Sequence, residues 1–359
     1  MTAPTSPAPV TVTALDPHDD EGLAAYHALA ERAERAACPW KPGFHSLDEW
    51  RHYFRTPVAD QRNDLYVART ADGTIVGGGG LNTPLLDNLD KTWAIASVDP
   101  AHERRGGGSA LVEYAVDLAT RLGRTVVTAM IDIPAGSPVD GDDEGSASAV
   151  SAHPRVAWLI RRGWTPYAVD RYSQLHLPTP PGHVRELAHA AARHHAAYEI
   201  VTFRDTIPQE LQAGYCAVQN QLILDAPTGE LDYEEEALTP EAWAERNARS
   251  REMGRHNYVS LALLHGEVVG QTDVFLSPDG SRGIQTGTTV ARTHRGHRLG
   301  LALKCANLAA IEADHPECRV IDTNSNDANA PMHAVNEALG YRPVALSVQL
   351  ARRLEPARG

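Results

Sequence analysis

Two stretches of the chain carry apolar, β-branched runs interrupted once by a glycine turn. The first is Leu65 to Thr70, a turn at Ala71-Asp72-Gly73, then Ile75-Val76-Gly77. The second is Val259 to Leu264, a turn at His265-Gly266, then Val268-Val269-Gly270. β-rich runs around a tight glycine turn predict antiparallel hairpins. Downstream of each hairpin comes a short strand, a glycine-containing turn and an amphipathic helix. In the first helix Leu111, Tyr114, Ala115, Leu118 and Leu122 follow helical spacing up to Gly123, a residue suited to a helix stop. In the second, Cys305, Leu308 and Ala309 share one face.

The order of these features makes the chain an internal duplication. Gly77 and Gly108 are 31 residues apart, and Gly270 and Gly300 are 30 apart. Each half closes on a similar phrase, Gly163-Trp164-Thr165-Pro166 and Gly340-Tyr341-Arg342-Pro343. A last strand follows each phrase, with Gln174-Leu175 in one and Gln349-Leu350 in the other. From glycine turn to closing phrase the first half spans 55 residues and the second 40. The surplus lies around Pro134 to Pro154, whose Gly/Ser/Asp composition predicts a mobile loop. Expected boundaries are a disordered lead-in over 1–10, an N-terminal domain over 11–177, a linker over 178–197 and a C-terminal domain over 198–359. His189, His194 and His195 in that linker read as solvated helix positions, because no carboxylate or thiol is spaced to complete a metal site.

The glycine turns carry the candidate chemistry. One reads Trp93 to Pro100, then His102-Glu103-Arg104-Arg105-Gly106-Gly107-Gly108-Ser109. Its counterpart reads Thr286 to Val290, then His294-Arg295-Gly296-His297-Arg298-Leu299-Gly300-Leu301. A strand, a glycine turn and a helix start form an anion site, since backbone N–H groups converge there and the helix dipole favours negative charge. Arg295, Arg298 and Lys304 can add charge for phosphates. A dinucleotide fingerprint would need a βαβ unit and an acidic residue about 20 residues on, and the preceding hairpins do not fit that order.

Composition narrows the class. The 359 residues suffice for two domains, and 42% hydrophobic with 22% charged residues is a globular balance. A formal charge of −13 argues against a nucleic-acid partner. No apolar run approaches the roughly 18 residues of a membrane span, and the first residues lack the basic region of a secretory signal. The scattered Cys38, Cys216, Cys305 and Cys318 read as reduced thiols, with no metal site, and point to a cytoplasmic setting.

On these turns and their flanking phrases, the sequence resembles the GNAT superfamily of N-acetyltransferases over nearly all of residues 11–177 and 198–352. The family's pyrophosphate loop is [Gln/Arg]-x-x-Gly-x-[Gly/Ala] after a Val-x-Pro-like strand end. Val98-Asp99-Pro100 matches that strand end; Gly106 and Gly108 match the loop, whereas Glu103 departs from it. In the second half Arg295 and Gly300 match, and Arg298 stands where glycine is usual. The stretches His294 to Lys304, Thr323 to Met332 and Val335 to Gly340 resemble actinobacterial tandem members, and the architecture is similar to that of mycothiol synthase.

The resemblance implies an α/β (α+β) fold class: two tandem GNAT folds, each a mixed, mostly antiparallel central sheet flanked by helices. It implies acetyl-CoA, or another acyl-CoA, as donor and a small-molecule primary amine as acceptor, in a monomer or homodimer. Catalysis is then mainly positioning, with a backbone N–H near Val290, or Val98 in the first half, polarising the thioester carbonyl. The family's acid position falls on Asn336 and its companion Asn on Asn329. The first half has Leu159 and Ala152 there, so catalysis is expected in the second half. Cofactor contacts are expected from Val290, Arg295 to Leu301, Asn329, Val98 and Arg104 to Ser109. Asp225, Glu230, Asp232, Asp273 and Gln285 are the candidates for binding the acceptor. Asn329 also suits a helix cap. Two other readings stay open: a CoA-binding protein without turnover, and the same fold working on another acyl donor.

Overall fold

The computed structural model describes residues 10–41, 45–134, 150–222, 231–234 and 237–355. The lead-in over 1–9 and most of the expected mobile loop, 135–149, lie outside them. The chain divides into two compact units.

The N-terminal unit comprises Met1–Ile133, Gly141–Pro166 and Val348–Gly359. It contains β1 (Thr11–Leu15), α1 (Asp20–Ala37), α2 (Leu47–Arg55), β2 (Gln61–Arg69), β3 (Ile75–Pro84), β4 (Lys91–Val98), α3 (Gly107–Arg121), β5 (Val126–Pro134) and α4 (Pro154–Ile160). Strands β1 to β4 form an antiparallel meander, and β5 pairs parallel to β4. Asp19 caps α1, accepting from the Gly22 N–H, and a Ser46/Glu49 capping box starts α2. Leu15, Leu23, Tyr26, Leu65 and Val67 form a core on one face of the meander.

The C-terminal unit comprises Tyr167–Ser347 together with Pro134–Asp140. Its elements are β6 (Thr165–His176), α5 (His183–Ala192), β7 (Glu199–Arg204), α6 (Gln209–Asn220), α7 (Pro240–Glu252), β8 (His256–Leu264), β9 (Glu267–Leu276), β10 (Arg282–Val290), α8 (Leu299–Asp314), β11 (Val320–Asn326), α9 (Ala330–Leu339) and β12 (Arg342–Arg353). Again a meander, β7 to β10, is followed by a parallel strand, β11. Both expected hairpins and both helices after the glycine turns are present.

The units differ from the two sequence halves at their closing strands. From Tyr167 onward β6 belongs to the C-terminal unit, where it pairs antiparallel with β11 from Asp170↔Asn326 to His176↔Val320. From Val348 onward β12 belongs to the N-terminal unit; there the Leu354 N–H bonds the Thr125 carbonyl at 2.7 Å. Each unit thus takes its last strand from the other half of the sequence, and the boundary drawn at 177 does not coincide with the units. The segment drawn as a linker is also part of the C-terminal unit. Helix α5 packs on α8, with Val184 in the core beside Leu308 and Ile311. The Glu312 carboxylate accepts from the Thr179 N–H and hydroxyl at 2.7 and 2.8 Å. Among the described residues no His/Cys/Asp/Glu group is arranged to hold a metal ion, and no helix is long and apolar enough to cross a membrane.

Candidate functional site

In each unit the strand that enters the glycine turn parts from its parallel neighbour before it ends. Strand β4 pairs with β5 only over Lys91–Trp93 and Val126–Thr128, yet runs on to Val98. Strand β10 pairs with β11 only over Arg282–Gln285 and Val320–Thr323, yet runs on to Val290. In β10 the parting coincides with a bulge between Gln285 and Gly287, which bends the strand locally. The Gln285 amide braces that bulge, donating to Thr272 Oγ1, the Asp273 carbonyl and the Gly287 carbonyl at 2.8, 2.6 and 3.0 Å.

The open strand edges carry backbone donors. Asp99 N–H bonds the Val76 carbonyl, and Ala291 N–H bonds the Val269 carbonyl. N–H groups alternate in side along a strand, so those of Val98 and Val290 turn away from the meander into the opening. The Val290 carbonyl, on the same side, accepts from Arg295 Nε at 3.0 Å.

Beyond each opening lies a helix start without a side-chain cap, at Gly106 for α3 and Arg298 for α8. The two caps share a left-handed backbone, φ 92° at Gly106 and 54° at Arg298. The arginine holds that conformation at a cost of about 1 kcal/mol or more, so this departure from the family loop keeps the loop's shape. A Cβ at Gly108 would come no closer than 3.6 Å to Val98 Cγ2, and one at Gly300 no closer than 3.8 Å to Thr288 Cγ2. The fold itself therefore does not demand glycine at either place; bare backbone at a helix start suits the close approach of an anion.

The cations around the two helix starts differ. In the N-terminal unit Arg104 and Arg105 are exposed, and Arg162 reaches back from the end of α4. Its Nη2 donates to Ser109 Oγ at 2.9 Å, and its guanidinium stacks 4.1 Å from the Trp158 ring. A cation held at the positive end of a helix is unfavourable by itself and becomes favourable with an anion between them. Sequence reasoning missed Arg162 and Trp158. In the C-terminal unit Arg298 is exposed, Arg295 folds back onto the Val290 carbonyl, and His297 Nδ1 lies 3.2 Å from the His194 carbonyl. Lys304 is only 3% exposed and its Nζ lies 5.3 Å from the centre of the Tyr341 ring. Burial lowers its pKa to about 7. The expectation that it adds surface charge for phosphates is thereby corrected.

The interior of the C-terminal unit beside the bulge is polar. The register places Asp273 opposite Gly287, at the bulge. Asp273 is 4% exposed; its Oδ2 accepts from the Tyr215 hydroxyl at 2.6 Å, and its Oδ1 finds no partner among the described residues. Burial raises this carboxyl to about 7, against a lowering by Tyr215. Beside it Gln271 Nε2 donates to Gln219 Oε1 at 2.5 Å, while Gln271 Oε1 finds no partner among the described residues. Gln285, expected on the acceptor, is occupied with the bulge. Asp232 is exposed, and Asp225 and Glu230 lie outside the described residues.

The two asparagines separate in role. Asn329 is the N-cap of α9, its Oδ1 accepting from the Met332 N–H at 3.2 Å, which leaves Nδ2 as the donor it can offer a ligand. Asn336 is 3% exposed and neither amide atom finds a partner among the described residues. A buried amide in that state can be completed by water or by a ligand. A cavity of about 680 Å³ between α5 and α8 opens at Ala302, Cys305, Ala306 and Ala309. Those residues lie on the opposite side of α8 from Gly300 and Lys304, so this cavity is separate from the strand opening.

The comparisons agree with this geometry. Residues 26–134 match the model of the acetyltransferase (GNAT) family. A tandem GNAT protein from the clavulanic acid biosynthesis pathway has a similar structure, with TM-score 0.72 and 25% identity over 97% of this chain and 100% of its own. A GNAT-type N-acetyltransferase from Sphaerobacter thermophilus follows with TM-score 0.61 and 17% identity, covering 99% and 98%. A comparison with curated proteins finds no match. Residues 26–134 thus match the GNAT acetyltransferase family, and the chain along nearly its whole length has a fold similar to that of a tandem GNAT protein.

Proposed function

We propose that the chain transfers an acyl group, acetyl in the first instance, from CoA to a primary amine of a small molecule, and that the C-terminal unit performs the transfer. The observation that carries this reading is Asp273, a buried carboxyl with pKa about 7 beside the bulge where β10 leaves β11. A base of that pKa can take the proton of an acceptor ammonium near neutral pH. Tyr215 donates its 2.6 Å hydrogen bond to the ionised carboxylate that receives this proton.

The donor is an activated thioester and supplies the reactive carbonyl. The residues suited to hold it are the helix start at Arg298 to Gly300 for its pyrophosphate and the open edge of β10 for its arm. The Val290 N–H, directed into the opening, is the donor for the carbonyl oxygen as charge develops there. Asn336 has no proton to release as an acid, but its Nδ2 can hydrogen-bond the departing sulfur. Asn329 Nδ2 is a further donor at the start of α9.

The N-terminal unit supports a second, narrower role: binding CoA without chemistry. Its helix start has the better glycines and Arg162, which favour phosphate. Its acceptor face, by contrast, is closed. A Cβ at Gly78 would meet the Tyr26 ring at 2.4 Å, and Leu159 is buried where the other unit has Asn336.

The test is release of CoA from acetyl-CoA in the presence of a panel of primary amines. Turnover that is lost in Asp273→Asn while acetyl-CoA still binds supports the proposal. Folded protein that binds acetyl-CoA but releases no CoA with any amine would favour the reading without turnover.

A further inference from the structure

Lys304 has a position that phosphate binding does not explain. On α8, Leu299 and Leu303 pack with Ala262 and Val269 of β8 and β9. Asn307 lies along the same side, its Nδ2 donating to the Tyr258 and Thr272 carbonyls at 2.9 and 3.3 Å. Gly300 sits at the next edge, over Thr288 of β10, and Lys304 follows it one turn later on that edge. Its Nζ lies over Tyr341, the residue just before β12. The side chain is therefore carried inward at the edge of α8 that faces β10 and its opening. No carboxylate pairs with it among the described residues. The amine is thus buried on the side of α8 that faces β10, along whose open edge the donor's arm is proposed to run, and burial lowers its pKa to about 7. Leaving such a lysine unpaired is costly; in the N-terminal unit the register-equivalent position is the apolar Val112.

We infer that Lys304 is a self-acylation site: its amine accepts the acyl group from the acyl-CoA bound in its own unit. The inference rests on the reading that the C-terminal unit binds acyl-CoA. In the step the neutral Nζ attacks the thioester carbonyl carbon, the C–N bond forms and the C–S bond breaks. The amine proton passes to the departing thiolate, so the products are an amide at Lys304 and free CoA thiol. No other reactant is needed. Because Lys304 is buried, acetyl-CoA in free solution does not reach it in the folded chain; only a donor lodged in the opening does.

The experiment is incubation of the full chain with acetyl-CoA and no amine, followed by intact mass and peptide mapping. The expected result is one added acetyl group per chain, mapped to Lys304. It is absent from Lys304→Arg and Lys304→Met and lost in Gly300→Asp, which places a carboxylate at the phosphate position. Gly108→Asp, which disturbs only the N-terminal helix start, leaves it unchanged. Calorimetry on the same proteins separates the two ways of failing. If acetyl-CoA binds and Gly300→Asp removes that binding, yet Lys304 stays unmodified, the inference is overturned and the proposed function stands. If Lys304 is acetylated equally in Gly300→Asp, the donor arrives from solution and the inference is again overturned. If the C-terminal unit binds no acetyl-CoA, both fall.

Discussion

The two units build one scaffold and fill it with opposite chemistry. Matching their registers through Gly77↔Val98 and Gly270↔Val290 makes Gly78 and Gly80 the counterparts of Gln271 and Asp273. On the helices, Val112, Ala115 and Leu159 stand for Lys304, Asn307 and Asn336. The N-terminal interior is closed by glycine strands under the Tyr26 and Tyr66 rings. The C-terminal interior holds a carboxyl and an amine, both with pKa about 7, and amides whose hydrogen bonds are incomplete. Hydrogen-bonding capacity left open inside a fold is costly unless water, an ion or a ligand completes it. On the proposed function, the glycine-rich cradle and the reactive interior have diverged between the units: the better cradle lies in the unit to which no chemistry is assigned.

The largest expected break of this comparison is Asp273→Asn. It should lower kcat by roughly 100- to 10,000-fold, the usual worth of a positioned base, with acetyl-CoA affinity unchanged by calorimetry. In the unsubstituted protein the rate should climb as pH rises through about 7, because Asp273 must be ionised to accept a proton. Asp273→Asn should lose that limb. The counterpart substitution Gly80→Ala, where a Cβ meets nothing closer than Leu65 Cδ2 at 3.6 Å, should leave turnover intact.

Next comes Lys304→Met, read by denaturant unfolding. The folded-state pKa lies below the ordinary 10.5, so the unfolded chain binds more protons between about pH 7 and 10.5. The charge therefore destabilises the fold fully below pH 7, and stability is regained as pH rises toward 10.5. Removing the amine should stabilise the chain at neutral pH by on the order of 3 kcal/mol, with the gain fading at alkaline pH.

Smaller effects distinguish the two cradles. Gly300→Asp should weaken donor binding in the C-terminal unit by roughly 10- to 100-fold, about 1.4–2.8 kcal/mol, and raise KM. Gly108→Asp should remove only binding to the N-terminal unit. Smallest is Arg162→Gln, which should weaken that second binding event by about threefold and reduce its salt dependence; no change would remove Arg162 from the site.

Much of the scaffold is legible in sequence because it is local. Gly73 and Gly266 mark the hairpins, Gly106 and Gly296 the turns, and helical spacing runs from Leu111 to Leu122. The exchanged closing strands are not legible, since β6 and β12 carry similar apolar patterns and pairing is settled by distant edges. Arg162 meets Ser109 across 53 residues, and Tyr215 meets Asp273 across 58; neither contact leaves a local signal. Lys304 misleads for a different reason: lysine near a phosphate loop suggests an exposed cation, and only packing against Tyr341 shows it buried. Asn336 is legible as a position in the family pattern, but its incomplete hydrogen bonding emerges only from the fold.

The most direct test of the division between units compares CoA release by Asp273→Asn and Gly108→Asp with that of the unsubstituted chain, across the same panel of primary amines. The account predicts that Gly108→Asp retains the activity and Asp273→Asn loses it. Activity that survives Asp273→Asn but disappears in Gly108→Asp would place the chemistry in the N-terminal unit and contradict the account.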